Sequence, residues 1–75
     1  MKKIYICARE KEFISGEENF QPISKAERLQ LNPKYIRRLK DYINNLEPPF
    51  ILISRSPFMT ILLDAAGFIY ETLYL

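Results

Sequence analysis

The sequence predicts a small α+β domain spanning residues 1–75, in the order β-α-α-β-β-β, with a mostly antiparallel sheet and its helices packed on one face. Three observations carry that prediction. Apolar residues recur at three- and four-residue spacing across residues 35–46, two short apolar stretches (3–9 and 50–54) have the length of strands, and Asp64-Ala65-Ala66-Gly67 has the residues of a tight hairpin turn.

Each element follows from local chemistry. In residues 3–9, Ile4, Ile6 and Ala8 fall on one side of an extended chain and Tyr5 and Cys7 on the other, so both faces are apolar and the strand is central. Residues 10–23 read as a loop, with Ser15, Gly16, Glu17, Glu18 and Asn19 as its polar turn and Pro22 keeping the backbone extended. Ser24-Lys25-Ala26-Glu27 matches a capping box, so a short helix is expected over residues 25–31. Asn32-Pro33 interrupts it and starts a second helix: asparagine caps the free amides, and proline fits a first turn where its missing N–H had no partner. There Tyr35, Ile36, Leu39, Tyr42, Ile43 and Leu46 form the buried stripe, and Pro48-Pro49 ends it.

Phe50–Ser54 is uninterruptedly apolar and reads as a buried strand. Residues 58–63 and 68–75 are expected to pair as a hairpin, with Gly67 at the positive-φ position of a bulged three-residue loop. Both sides of that hairpin are apolar: Phe68, Tyr70 and Tyr74 on one, Ile69, Leu73 and Leu75 on the other. A sheet with helices on one face leaves the second face open, which predicts a homodimer or a protein partner across Phe68, Tyr70 and Tyr74. The other way to fill that face is the loop 10–23, which carries Phe13, Ile14 and Phe20.

Composition excludes several classes of function. Hydrophobic residues make up 48% of the chain and charged residues 27%, too apolar for disorder, so the chain folds alone or on a partner. At 75 residues it buries only roughly 60% of its unfolded surface. The single cysteine, Cys7, rules out an internal disulfide framework and fits a reducing, cytoplasmic setting; with no histidine and no paired cysteines, no metal or cofactor is expected. The amino terminus lacks the apolar core of a signal peptide, so the mature chain is expected to start at Met1. No apolar run approaches the length of a membrane span.

Catalysis has few candidates. Without histidine, a base would have to be a carboxylate, lysine or tyrosine; Glu17 and Glu18 sit in a turn, and Cys7 lies in an apolar strand where a thiol behaves as a small hydrophobe. The expectation is a protein that is not an enzyme.

The net charge is only +2, but it is unevenly spread. Lys25, Arg28, Lys34, Arg37, Arg38 and Lys40 share a window whose only acid is Glu27. Such a patch suits an acidic protein surface or a nucleic acid. The candidate binding residues are therefore Arg28, Lys34, Arg37, Arg38 and Lys40.

Three readings of function follow. The favoured one is a small regulator or inhibitor that occupies a surface of a larger host protein; its lysine-, isoleucine- and asparagine-rich composition is similar to that of phage and mobile-element proteins. The second rests on residues 24–46, where Ala26, Leu29, Leu31, Ile36 and Leu39 have the spacing of buried positions in a helix-turn-helix. That resemblance implies duplex-DNA binding, with Asn32, Lys34, Arg37, Arg38 and Asp41 towards the groove. Gln30 stands where the motif prefers glycine, and Asp41 would repel phosphate. The third rests on element order, which resembles that of small ribonuclease and gyrase-poisoning toxins of toxin–antitoxin modules and implies Arg55, Tyr70 and Tyr74 as candidates for RNA cleavage.

Overall fold

The computed structural model describes residues 1–74, in the order β1 (Lys2–Ile6), β2 (Glu18–Phe20), α1 (Pro33–Asn44), β3 (Phe50–Ser54), α2 (Pro57–Ala66) and β4 (Glu71–Thr72), with one 3-10 turn at Glu10–Glu12. It is a small α+β fold of two helices and a four-stranded sheet of order β2-β1-β3-β4. Every pairing is parallel, not mostly antiparallel as the sequence had suggested. The order β-α-α-β-β-β is corrected with it.

The two helices share one face. Ile4, Ile6 and Ala8 of the β1 stretch and Leu52 of β3 meet Tyr35, Leu39 and Ile43 of α1 and Met59, Leu62 and Leu63 of α2 in one buried cluster. The connections β2–α1–β3 and β3–α2–β4 both step in the same direction across the sheet, and right-handed crossovers then require their helices on the same side. The β1–β2 connection steps the opposite way and so belongs to the other face. There its Ile14 packs with Tyr5, Cys7 and Ile53. Over Tyr5, Cys7 and Ile53 the second face of the sheet is thus covered by Ile14 of the loop 10–23, whereas Phe13 of that loop stays exposed and Phe20 packs on the helical side.

Both helices have explicit starts. Asn32 Oδ1 accepts from Lys34 N at 3.0 Å with Pro33 at the first helical position, as expected from the sequence. Ser56 repeats the device on α2, its Oγ accepting from Met59 N at 3.3 Å ahead of Pro57.

The expected strand over residues 58–63 is helical, and with it the expected hairpin disappears. Gly67 does take positive φ, at 82°, but as the left-handed residue that ends α2, its N–H donating to Asp64 O at 3.0 Å. No atom lies within 4 Å of where a Cβ would stand, so the cost of a side chain here is backbone strain alone. Gly67→Val should therefore destabilise by about 1–2 kcal/mol in chemical denaturation. A neutral result would contradict the cap.

The short helix expected over residues 25–31 is absent as well, and only the glutamate half of its capping box forms: Glu27 Oε1 accepts from Ser24 N at 2.9 Å, while Glu27 N donates to the Ser24 backbone carbonyl at 3.0 Å in a single turn. The turn goes no further because the Glu27 carboxylate is drawn onto α1, and Pro33 begins a new helix six residues later. Residues 24–46 thus hold one helix rather than the two of a helix-turn-helix. The toxin-like element order is likewise not the observed one.

Candidate functional site

The sequence-predicted basic residues fall into two groups. Lys34 and Arg38, one turn apart on α1, both point at Glu27: Lys34 Nζ is 3.1 Å from Oε2 and Arg38 Nη1 2.7 Å from Oε1. Arg38 also donates to Pro22 O at 3.0 Å, and both cations lie over the Tyr35 ring, 5.2 and 5.4 Å from its centroid. These two residues hold segment 22–28 against α1. Arg28, Arg37 and Lys40 are exposed and make no ion pair among the described residues. Asp41, next to Lys40 on the outer side, is exposed too, so the cationic surface left over is small and mixed in sign.

The hydrogen bonds from Arg38, followed by the Ser24 amide, hold the Glu27 carboxyl well below the usual carboxylate range. Glu18 is lowered as well, by its bond to Lys2 and then by Tyr42, which stacks on Phe20 at 3.9 Å between ring centroids. Carboxyls of this kind bind protons less readily folded than unfolded. The stability they lend is complete above their ordinary value of about 4.5 and is lost as pH falls below it. Thermal midpoints should accordingly drop between pH ~5 and ~3, and Glu27→Gln should be less stable at pH 7 with a shallower acid slope. An unchanged slope in that variant would remove Glu27 from the account.

The other predicted group was Phe68, Tyr70 and Tyr74. None of the three lies in a strand; only Glu71–Thr72 does, and Leu75 falls outside the described residues. Phe68 and Tyr70 pack against the helical core, and the Tyr70 hydroxyl donates to Asp64 Oδ1 at 2.8 Å, which with partial burial raises its pKa. Tyr74 is half-exposed and shares a hydrogen bond with Thr60 on α2. These side chains close the protein's own α2–β4 corner rather than forming one flat sheet face.

What sequence reasoning missed is the edge beside them. β4 pairs with β3 only through Ile53↔Glu71 and Ser54↔Thr72, so Phe50, Ile51 and Leu52 have no paired residue on that side, although the Leu52 carbonyl still accepts from Glu71 N–H. Alternation decides which groups are left over. Arg55 N donates to Ile6 O towards β1, whereas Ser54 O accepts from Leu73 N towards β4; the amides of Leu52 and Phe50 therefore face the β4 side. A groove of about 300 Å³ lies there, lined by Phe50, Ile51, Leu52, Ile69, Tyr70 and Glu71. Ile69 stands 93% exposed at its rim, the most exposed large apolar side chain of the described chain.

Two other places bring charged or reactive side chains together. A hollow of about 290 Å³ beyond the carboxyl end of β1 is ringed by Arg9, Glu10, Lys11 and Lys25. All four are solvent-exposed, so their charges are hydrated and mixed rather than focused. At the carboxyl end of β3, Arg55 is only 6% exposed and makes no ion pair among the described residues; its Nε donates to Glu12 O at 2.8 Å and its Nη1 to Leu73 O at 2.7 Å. It fastens the β1–β2 loop and the C-terminal segment to the sheet. Nearby, burial first and then the Glu12 carboxylate push the Cys7 thiol up to about 11, which keeps it protonated and unreactive.

Among the described residues, no group of three or more His, Cys, Asp or Glu is placed to hold a metal ion, and no helix is long and apolar enough to cross a membrane. No protein-family model, curated protein or solved structure matches this chain.

Proposed function

We propose that this protein is a small non-enzymatic binding module that acts by occupying a surface of a larger protein, and that its contact region is the C-terminal edge of the sheet. One observation supports this above the others: a stretch of central strand, Phe50–Leu52, paired with β1 but left without a paired residue on its other side, opens onto an apolar groove with Ile69 almost fully exposed beside it. Open strand edges and clustered apolar exposure are features that natural proteins cover unless they are used. The basic helix supports the DNA-binding alternative less well, because two of its cations are already engaged by Glu27.

The test is retention of a stoichiometric partner from a lysate of the source cells by the full-length protein, repeated with two variants. Ile69→Asp changes an exposed rim residue and should abolish retention, while Arg37→Glu with Lys40→Glu should leave it intact. Arg38 is avoided because it holds residues 22–28 in place. Absence of any partner, or salt-dependent retardation of duplex DNA that the double charge reversal abolishes, would overturn the reading in favour of the alternative.

A further inference from the structure

We infer that the open stretch of β3 accepts an extended segment of the partner as an added strand, running parallel to β3 in line with β4, with an apolar side chain in the groove and a lysine or arginine beside Glu71. This inference rests on the protein-binding reading and specifies its mode.

Backbone geometry selects the direction. The registers Ile53↔Glu71 and Ser54↔Thr72, with Leu73 N on Ser54 O, make the Leu52 carbonyl the acceptor for Glu71 N–H. What remains unmet on this side is the Phe50 carbonyl and the Leu52 and Phe50 amides. A single residue of a parallel strand satisfies the first two at once, its N–H donating to Phe50 O and its C=O accepting from Leu52 N–H. An antiparallel strand would need Leu52 to exchange both its bonds with one residue, and its carbonyl is already taken. In the chain itself the residue that would continue β4 into this place is Ile69. It is instead turned outwards, because the chain leaves α2 through left-handed Gly67 and packs Phe68 and Tyr70 inwards.

Charge selects the occupant. The groove is lined by apolar groups and Tyr70, and among the described residues its only charged side chain is Glu71; the nearby Asp64 carboxylate accepts from the Tyr70 hydroxyl. Two copies meeting edge to edge by two-fold symmetry would run their β3 strands antiparallel, the direction that the engaged Leu52 carbonyl opposes. A foreign segment with alternating β-branched or aromatic residues and one cation meets both the apolar floor and the carboxylate.

The experiment is selection of a random octapeptide display library on the immobilised full-length protein, followed by titration of the selected peptide, synthesised free, into labelled protein. Supporting results are extended, proline-free sequences carrying Lys or Arg, binding weakened at least tenfold by Ile69→Asp, and Leu52 amide exchange slowed at least tenfold at saturation. In Glu71→Lys the selected sequences should carry Asp or Glu instead. Peptides that perturb Arg37 and Lys40 while leaving Leu52 exchange unchanged would overturn strand addition and leave the protein-binding reading standing. A library yielding no specific binder would overturn the strand-addition mode, while partner retention from lysate judges the broader reading separately.

Discussion

Leu39→Ala should lower the stability of this protein by about 2–5 kcal/mol, the largest effect expected of a single truncation. Leu39 is wholly buried at the middle of the inward side of α1, between Tyr35 and Ile43. Its cluster draws on β1, β3 and α2, so the void left by three missing carbons is walled by separate elements that cannot all move inwards together. A domain this small has little stability in reserve, and at roughly 4–8 °C per kcal/mol the thermal midpoint should fall by about 10 °C or more. A shift of only a degree or two would mean that α1 does not pack as described.

Arg55→Met is the second. The aliphatic replacement keeps most of the volume of the side chain and removes the two charge-assisted bonds to Glu12 O and Leu73 O, each worth about 1.5–3 kcal/mol. Part of that is returned because a buried guanidinium no longer has to be kept from water. A net loss of about 2–3 kcal/mol is the expected balance. The location of the loss is more telling than its size. Amide exchange should quicken in residues 10–17 and 71–74, the two segments that Arg55 fastens, while α1 and the β1–β3 pairing keep their protection. Uniform loosening of the whole chain would refute the fastening role.

Parts of this fold were legible in the sequence because several local signals agreed. α1 was delimited by Asn32-Pro33 at one end and Pro48-Pro49 beyond the other, with a buried stripe between them, and it forms over Pro33–Asn44. β3 was read at its observed bounds from Phe-Ile-Leu-Ile-Ser. The error that changed the topology came from Phe58, Met59, Thr60, Ile61, Leu62 and Leu63. A short run apolar on every side has no period to separate a strand from a buried helix, since both bury all their faces. The deciding signal lay at its ends: Ser56-Pro57 before it and Gly67 after it are a cap, a first-turn proline and a left-handed terminator. Reading those as helix punctuation turns the hairpin into a βαβ crossover, and the parallel sheet follows.

β2 was missed for a different reason. Glu18-Asn19-Phe20 has no strand-like composition; it is held by its register against Ile4, Tyr5 and Ile6, by the Lys2–Glu18 ion pair and by the stacking of Phe20 on Tyr42, all of which are contacts distant in sequence. The same holds for the candidate site. The apolar excess at the C-terminus is visible in the sequence and reads as one face of Phe68, Tyr70 and Tyr74; in three dimensions Phe68 and Tyr70 turn inwards and Ile69 turns out. The open groups of β3 could not be read from side chains at all, because they are backbone atoms exposed by the shortness of β4.

The exchange rates of three consecutive amides in the free protein test the central claim most directly. Ile53 N–H faces β1 and Ser54 N–H faces β4, whereas Leu52 N–H faces the groove with no described acceptor, although the residue as a whole is only 3% exposed. Leu52 should exchange on the order of a hundredfold faster than Ile53, a gap that side-chain burial alone would not produce. Equal protection of the two would show that the edge of β3 is closed, and the docking surface proposed here would not exist.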